Sequence, residues 1–106
     1  MRASESQIAA TIAANFEGDA ELYAAFASAC DAQFLRDAEA GNGAADEGRL
    51  QALRRLAHDL KSALLMLGCD DASQLASEVE QSAERGEMKA ARIAWRQLSR
   101  VLSHAS

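Results

Sequence analysis

Residues 50–68 read LQALRRLAHDLKSALLMLG. Leu50, Leu53, Ala57, Leu60, Leu64 and Leu67 follow one another in steps of three, four, three, four and three. That spacing draws an unbroken apolar seam down one side of an α-helix. Such a seam must be covered by other helices, as in an antiparallel bundle. Gly68 is placed to end the helix as a left-handed cap.

The rest of the chain agrees with a helical reading. It has 106 residues, no proline, and abundant alanine and leucine, and proline is the strongest helix breaker. This length supports one core and one domain, spanning residues 1–106, and 49% hydrophobic residues are enough to fill it. The fold class expected is all-α: an up-down antiparallel four-helix bundle with an additional short N-terminal helix.

Working outward, Ile8, Ile12 and Phe16 predict a short first helix over Glu5–Asn15, capped by Ser4 or Ser6 and lying as a lid. The second is expected from Asp19 to Ala40, with Leu22, Phe26, Ala29, Cys30, Gln33 and Phe34 on its inner stripe. AGNGAADEG, residues 40–48, reads as the clearest loop, with Asp46 capping the third helix, expected over Glu47–Leu67. The fourth opens at DDASQ, where Asp71 and Gln74 have capping-box spacing, and Gly86 ends it. Ala72, Leu75, Ala76, Val79 and Ala83 form its stripe. The fifth runs over Glu87–His104, with Ala91, Trp95, Leu98 and Leu102 inward and Met88, Ile93 and Val101 flanking. The short final connections favour antiparallel neighbours.

A formal net charge of -5 argues against wholesale binding to nucleic acid or an anionic membrane. No apolar run approaches the ~20 residues that cross a bilayer, and no signal-peptide block opens the chain. Cys30 and Cys69 form no disulfide framework or Cys-x-x-Cys site, so they are expected as packed free thiols in a reducing cytoplasm. No acidic metal cage and no Gly-x-x-x-x-Gly-Lys loop is present.

His58 departs from the seam. Successive helix residues rotate by roughly 100°, which puts His58 roughly 120° from the seam's centre, facing water. Arg54 and Lys61 share its flank, Arg55 lies further round, and Ser62 and Leu65 lie one and two turns ahead. Cations beside an imidazole disfavour its protonation. They also attract a phosphoryl group. A lone surface histidine is most often just solvated, and the pattern alone does not decide between the two. His104, two residues from the end, reads as a solvated terminus, and Arg85, Lys89, Arg92 and Arg96 as a solvated face.

AHDLKSALLMLG, residues 57–68, resembles the signature of histidine-containing phosphotransfer (HPt) domains, roughly Ala-His-x-Leu-Lys-Gly-Ser-x-x-x-Leu-Gly. Ala57, His58, Leu60, Lys61, Leu67 and Gly68 are kept. Ser62 stands where glycine is usual, and Met66 where asparagine is frequent. NFEGDAELYAAF (15–26) and LASEVEQSAERGE (75–87) are similar to the family's second-helix opening and fourth-helix pattern.

The resemblance implies that His58 accepts a phosphoryl group and exchanges it with an aspartate on a response-regulator receiver domain. Lys61 would neutralise phosphoryl charge, with Arg54 and Arg55 as additional cations. Ser62, Leu65, Glu80 and Gln81 would belong to the receiver-docking surface. Glu80 or Gln81 would stand where some members carry a polar residue facing the histidine. The expected protein is a monomeric cytoplasmic carrier with no cofactor of its own and no nucleotide site. Magnesium would sit on the partner, and the receiver of a hybrid histidine kinase is one candidate. The competing reading is a helical docking module that is never phosphorylated, which the Ser62 departure keeps open.

Overall fold

A capping box starts the first helix. Ser4 Oγ accepts from the Gln7 backbone N–H, and Gln7 Oε1 accepts from the Ser4 N–H at 3.0 Å. The computed structural model describes residues 4–103. They form five helices: α1 (Glu5–Asn15), α2 (Ala20–Glu47), α3 (Leu50–Met66), α4 (Asp70–Glu84) and α5 (Met88–Ser103). No strand occurs among the described residues, and no helix there is long and apolar enough to cross a membrane. His104 lies outside the described residues.

The α3 seam behaves as its spacing predicts. Leu53, Ala57, Leu60 and Leu64 are buried, Leu67 closes the row and Leu50 packs partly against it. Ala91, Trp95, Leu98 and Leu102 of α5 and Ala72, Ala76, Val79 and Ala83 of α4 face them. Each fully buried leucine contributes roughly 1.5–3 kcal/mol relative to exposure. The four longer helices touch in a ring: α2 with α3, α3 with α4, α4 with α5, and α5 with α2.

The structure departs from expectation in α2. Residues 40–47, expected as a loop, continue the helix, which ends only at left-handed Gly48. The reason is tertiary. Gly41 lies under the Trp95 indole, and a Cβ there would come within 1.8 Å of Trp95 Cζ2. Asn42 Oδ1 accepts from Trp95 Nε1 at 2.9 Å and from Ser99 Oγ at 3.2 Å. Arg92 Nε donates to the Ala45 carbonyl at 2.8 Å. The glycines and asparagine that read as loop punctuation instead seat a tryptophan. The inner stripe is also displaced. Leu22 is 54% exposed and Ala29 and Gln33 are exposed, whereas Tyr23, Phe26, Cys30, Phe34 and Ala38 turn inward. Phe16 fixes this rotation, with its ring edge-on to Tyr23 at 5.5 Å and tilted against Phe26 at 5.7 Å.

Two expected caps are not made. α3 begins at Leu50 with Arg49 at the cap position and no side-chain bond, so Asp46 does not cap it. α4 begins at Asp70 after Cys69, and Asp71 lies inside its first turn. Both turns are closed by backbone bonds instead, Arg49 N–H to the Ala44 carbonyl and Cys69 N–H to the Leu64 carbonyl.

Helix α1 is held at the far end of α3. Asn15 Nδ2 donates to the Met66 carbonyl at 3.0 Å, and buried Thr11 presses on Gly68. Gly68 has φ of 76°, and a Cβ there would stand 2.1 Å from Thr11 Oγ1, so both conformation and contact call for glycine. Cys30 is buried and Cys69 half-buried, both as free thiols, and burial pushes both thiol pKa values up.

Candidate functional site

The off-seam position of His58 on α3 takes its side chain out of the core, and it is 57% exposed. Directly across, α4 presents Glu80 one residue beyond the core residue Val79. This places the carboxylate at the boundary of the α3–α4 interface, with only 10% of its side chain exposed. Buried carboxylates need partners, and Glu80 has two. Its Oε2 lies 2.7 Å from His58 Nδ1, and its Oε1 accepts from Lys61 Nζ at 2.6 Å. One carboxylate thus spans the two α3 side chains three residues apart that share a flank.

The electrostatics follow from these bonds. The Lys61 ammonium, then the His58 hydrogen bond, hold the Glu80 carboxyl below the usual glutamate range, against burial, which pushes it up. Glu80 is therefore an anion and can only accept, so His58 Nδ1 must be the donor. In the neutral ring the proton then resides on Nδ1 and the lone pair falls on Nε2, which has no protein partner among the described residues. Lys61 is positioned through its backbone as well, because Ser73 Oγ of α4 donates to the Lys61 carbonyl at 3.1 Å.

The other residues singled out from the sequence separate into two groups. Ser62 and Leu65 lie exposed on the His58 face, and the Ser62 hydroxyl turns back to the His58 carbonyl at 3.5 Å. Arg54, one turn before His58, donates from Nε to Gln51 Oε1 at 2.9 Å. Arg55 instead lines a cleft with Asp59, Leu56 and α2 residues Ala40 and Ala44, on the other side of α3. Gln81 is exposed, donates to Ser77 Oγ at 3.0 Å and lines the groove between α4 and α5 with Arg85 and Ile93. Of the two polar residues considered opposite the histidine, Glu80 is the one that reaches it. The Glu80 side chain is largely buried, whereas Gln81 is exposed. Ser73 was missed, since a serine inside an alanine-rich stripe looks like a neutral core substitution. No group of three or more His, Cys, Asp or Glu side chains that could hold a metal ion occurs among the described residues.

The bridge makes a testable contribution to stability. Glu80 has a lowered folded-state pKa, so its contribution is full above the unfolded pKa and is lost as pH falls through the folded value. In urea unfolding, Glu80→Gln is expected to be less stable than wild type at pH 7. That gap should close as pH drops below 4.5, the ordinary glutamate value, because the wild-type carboxyl then protonates. A gap that persists unchanged to pH 2–3 would contradict the ionised bridge.

No curated protein and no solved structure matches the chain closely enough to count as a relative. The family model of the Hpt domain matches residues 20–105, from the start of α2 through the end of α5, and so takes in His58, Lys61 and Glu80. With most of its length matched in this way, and a histidine displayed on the third of five helices, the chain belongs to the Hpt domain family, the phosphocarrier modules of two-component phosphorelays.

Proposed function

We propose that His58 accepts a phosphoryl group on Nε2 from the aspartyl phosphate of a response-regulator receiver domain and returns it to an aspartate of the same class. The observation that carries this reading is the Nδ1–Glu80 bond. It fixes the tautomer and leaves the nucleophilic nitrogen exposed on a histidine outside the core. In the forward step Nε2 attacks phosphorus in line, the N–P bond forms, and the P–O bond to the receiver breaks. The departing carboxylate takes the bonding electron pair. The ring keeps its Nδ1 proton throughout and becomes a phosphorylated imidazolium facing the Glu80 anion. The reverse step returns the electron pair to Nε2, so neither direction requires a proton to move.

Lys61 is the cation that meets the phosphoryl oxygens. Its ammonium already bridges to Glu80 and needs only a rotation to share itself between carboxylate and phosphate. Arg54 can join after leaving Gln51, whereas the position of Arg55 suits it less. Ser62 and Leu65 form the surface that the receiver meets, and the receiver brings its own aspartate and magnesium. The chain thus acts as a carrier rather than a kinase, in the cytoplasm where receivers work.

The topology supports the same reading. Ascent from His58 to Lys61 on α3 pairs with descent from Glu80 to Ser73 on α4. Ascent from Arg92 to Ser99 on α5 pairs with descent from Ala45 to Asn42 on α2. Those pairings support an up-down antiparallel four-helix bundle with α1 added ahead of it, one domain over the whole chain.

The test is incubation of the chain with a receiver phosphorylated by acetyl phosphate, followed by detection of acid-labile, base-stable phosphate on the chain. Its appearance supports phosphotransfer, and its absence while the receiver loses label only to water contradicts it. In the same assay Glu80→Leu is expected to slow transfer by roughly 10- to 100-fold, since the ring loses its fixed tautomer and orientation. Glu80→Gln, which keeps an acceptor for Nδ1, should fall between the two.

A further inference from the structure

Every charged side chain on α5 is a cation: Lys89, Arg92, Arg96 and Arg100. The chain as a whole carries a net charge of -5, and the neighbouring α4 bears Asp70, Asp71, Glu78, Glu80 and Glu84 with no cation. At roughly 100° per residue the α5 cations fall within about 80° of one another, on the far side from buried Ala91 and Leu98. Arg92 is drawn aside to the Ala45 carbonyl. Lys89 and Arg96 stand exposed, with no bonding partner among the described residues. Ile93, 49% exposed, sits between them at helix spacings of four and three. Like charges one turn apart repel, and an anionic partner relieves that repulsion.

Beside this stripe runs a groove of about 350 Å³ between α4 and α5. Ala90, Ile93 and Ala94 form its apolar side, and Gln81, Arg85 and Gln97 its polar rim. A volume near the bottom of the roughly 300–1,000 Å³ range of ligand pockets, in a groove with an exposed rim, suits one large side chain of a bigger partner. The groove lies away from His58. Glu80 turns to the imidazole, and Ser82, two residues on and so roughly 200° round α4, lines the groove. Helix α5 packs on α2 and α4, which sets it diagonally across the bundle from α3.

The surroundings decide which anionic partner fits. Exposed Glu39 and Asp46 lie one turn either side of Asn42 on α2, the residue bonded to α5. Glu78 borders the groove on α4. A membrane plane or a nucleic-acid duplex laid on α5 would meet these carboxylates as well, whereas a narrow segment runs between them. A second copy related by two-fold symmetry would set the stripe against itself, cation on cation.

We propose that the outer face of α5 and the α4–α5 groove bind an acidic segment of another protein, with one apolar side chain of that segment seated against Ile93. The contact leaves the His58 face free. It goes beyond phosphotransfer and stands without it.

The experiment is a chemical-shift titration of the nitrogen-labelled full chain with a short peptide of glutamate and aspartate around a central phenylalanine. The expected result is saturable shifts along the stripe and the groove, with His58 unmoved, and an affinity that falls as salt is raised. Reversing the exposed cations, Lys89→Glu with Arg96→Glu, should weaken binding at least about tenfold. Ile93→Ser should weaken it about fivefold, as for losing roughly half the burial of an isoleucine. Replacing the peptide's phenylalanine by serine should act in the same direction, and Leu65→Ser, on the other face, should change nothing. Equal affinity of all variants, shifts centred on another face, or no shift at millimolar peptide would overturn the proposal. Equal or tighter binding of anionic phospholipid vesicles or of a DNA duplex at the same residues would overturn the assignment to a protein segment. Concentration-dependent shifts there without peptide would overturn it in favour of a second copy. No receiver enters these measurements, so failure of phosphotransfer and failure of this proposal are read separately.

Discussion

Gly41→Ala is expected to destabilise the fold, and Gly43→Ala, two residues along the same helix, to stabilise it. Helix propensity alone favours alanine at both positions by about 1 kcal/mol. The difference lies in what the new methyl group meets. At Gly41 it would stand 1.8 Å from Trp95 Cζ2 and 2.2 Å from Cη2, inside the indole. Trp95 is 1% exposed and tied by its Nε1 to Asn42, so it has no free direction in which to retreat. Overpacking of this kind costs typically about 1–3 kcal/mol and occasionally more. With a close approach this severe, we expect a net loss of roughly 2 kcal/mol or more after the propensity gain. That corresponds to a fall in Tm of about 8–16 °C at this chain length. Gly41→Val, larger and β-branched, should leave little folded protein. At Gly43 the nearest atom is a flexible guanidinium nitrogen of Arg49 at 3.7 Å, ordinary contact. There the propensity term acts alone and Tm should rise by a few degrees. Thermal unfolding followed by circular dichroism reads both signs. A rise for Gly41→Ala would mean that α2 does not carry Trp95 as described.

That pair of glycines also shows where the sequence was legible and where it was not. The α3 seam is written in large residues at unbroken helical spacing, so its buried face follows directly from the pattern. The α5 stripe is equally plain. In α2 the buried residues from 38 onward are Ala38, Gly41, Ala44 and Ala45, all small, and at Gly41 another helix's tryptophan fills the space a Cβ would take. Small residues carry little hydrophobic signal, and glycine beside asparagine resembles a turn. The identity of the residue was set by a contact 54 positions away, which no local window contains. Reading 38, 41 and 45 as a helical row of small residues, with a tryptophan in need of a seat, was the clue available.

The site divides along the same line. His58 and Lys61 sit on one helix, so their shared flank is visible from spacing. Glu80 and Ser73 enter from α4, and their register against α3 is fixed only when the two seams pack. The family resemblance narrowed the partner to Glu80 or Gln81, and since adjacent helix positions differ by about 100°, only one of the two can face His58. It did not reveal that the carboxylate would be buried and shared with Lys61. The three cations expected around the imidazole resolve differently in space: one is paired with Glu80, one is bonded to Gln51 and one is turned towards α2.

His58→Gln is expected to abolish receiver-dependent phosphorylation while leaving the fold intact. Glutamine is chosen because its amide N–H can still donate to Glu80 and satisfy that buried carboxylate. The Lys61–Glu80 pair therefore survives, and the wild-type side chain is more than half exposed. Stability should change by no more than about 0.5 kcal/mol, as for ordinary surface substitutions. What is lost is the lone pair on Nε2, for which an amide has no substitute. Removing the nucleophile of a covalent relay costs on the order of 10³-fold or more. The rate with labelled receiver should fall to the background of spontaneous hydrolysis. Retained transfer in a folded His58→Gln variant would show that the phosphoryl group goes elsewhere, and unfolding would show that His58 has a packing role which its exposure denies.

The most direct measurement is phosphorus–nitrogen correlation NMR on nitrogen-labelled chain after incubation with phosphorylated receiver. It reports which nitrogen of which residue bears the phosphoryl group. The predicted result is a single phosphoramidate on Nε2 of His58, with the Nδ1 proton retained in its bond to Glu80. A phosphoryl group on Nδ1, on another residue, or on none would contradict the assignment of His58 as the carrier poised by Glu80.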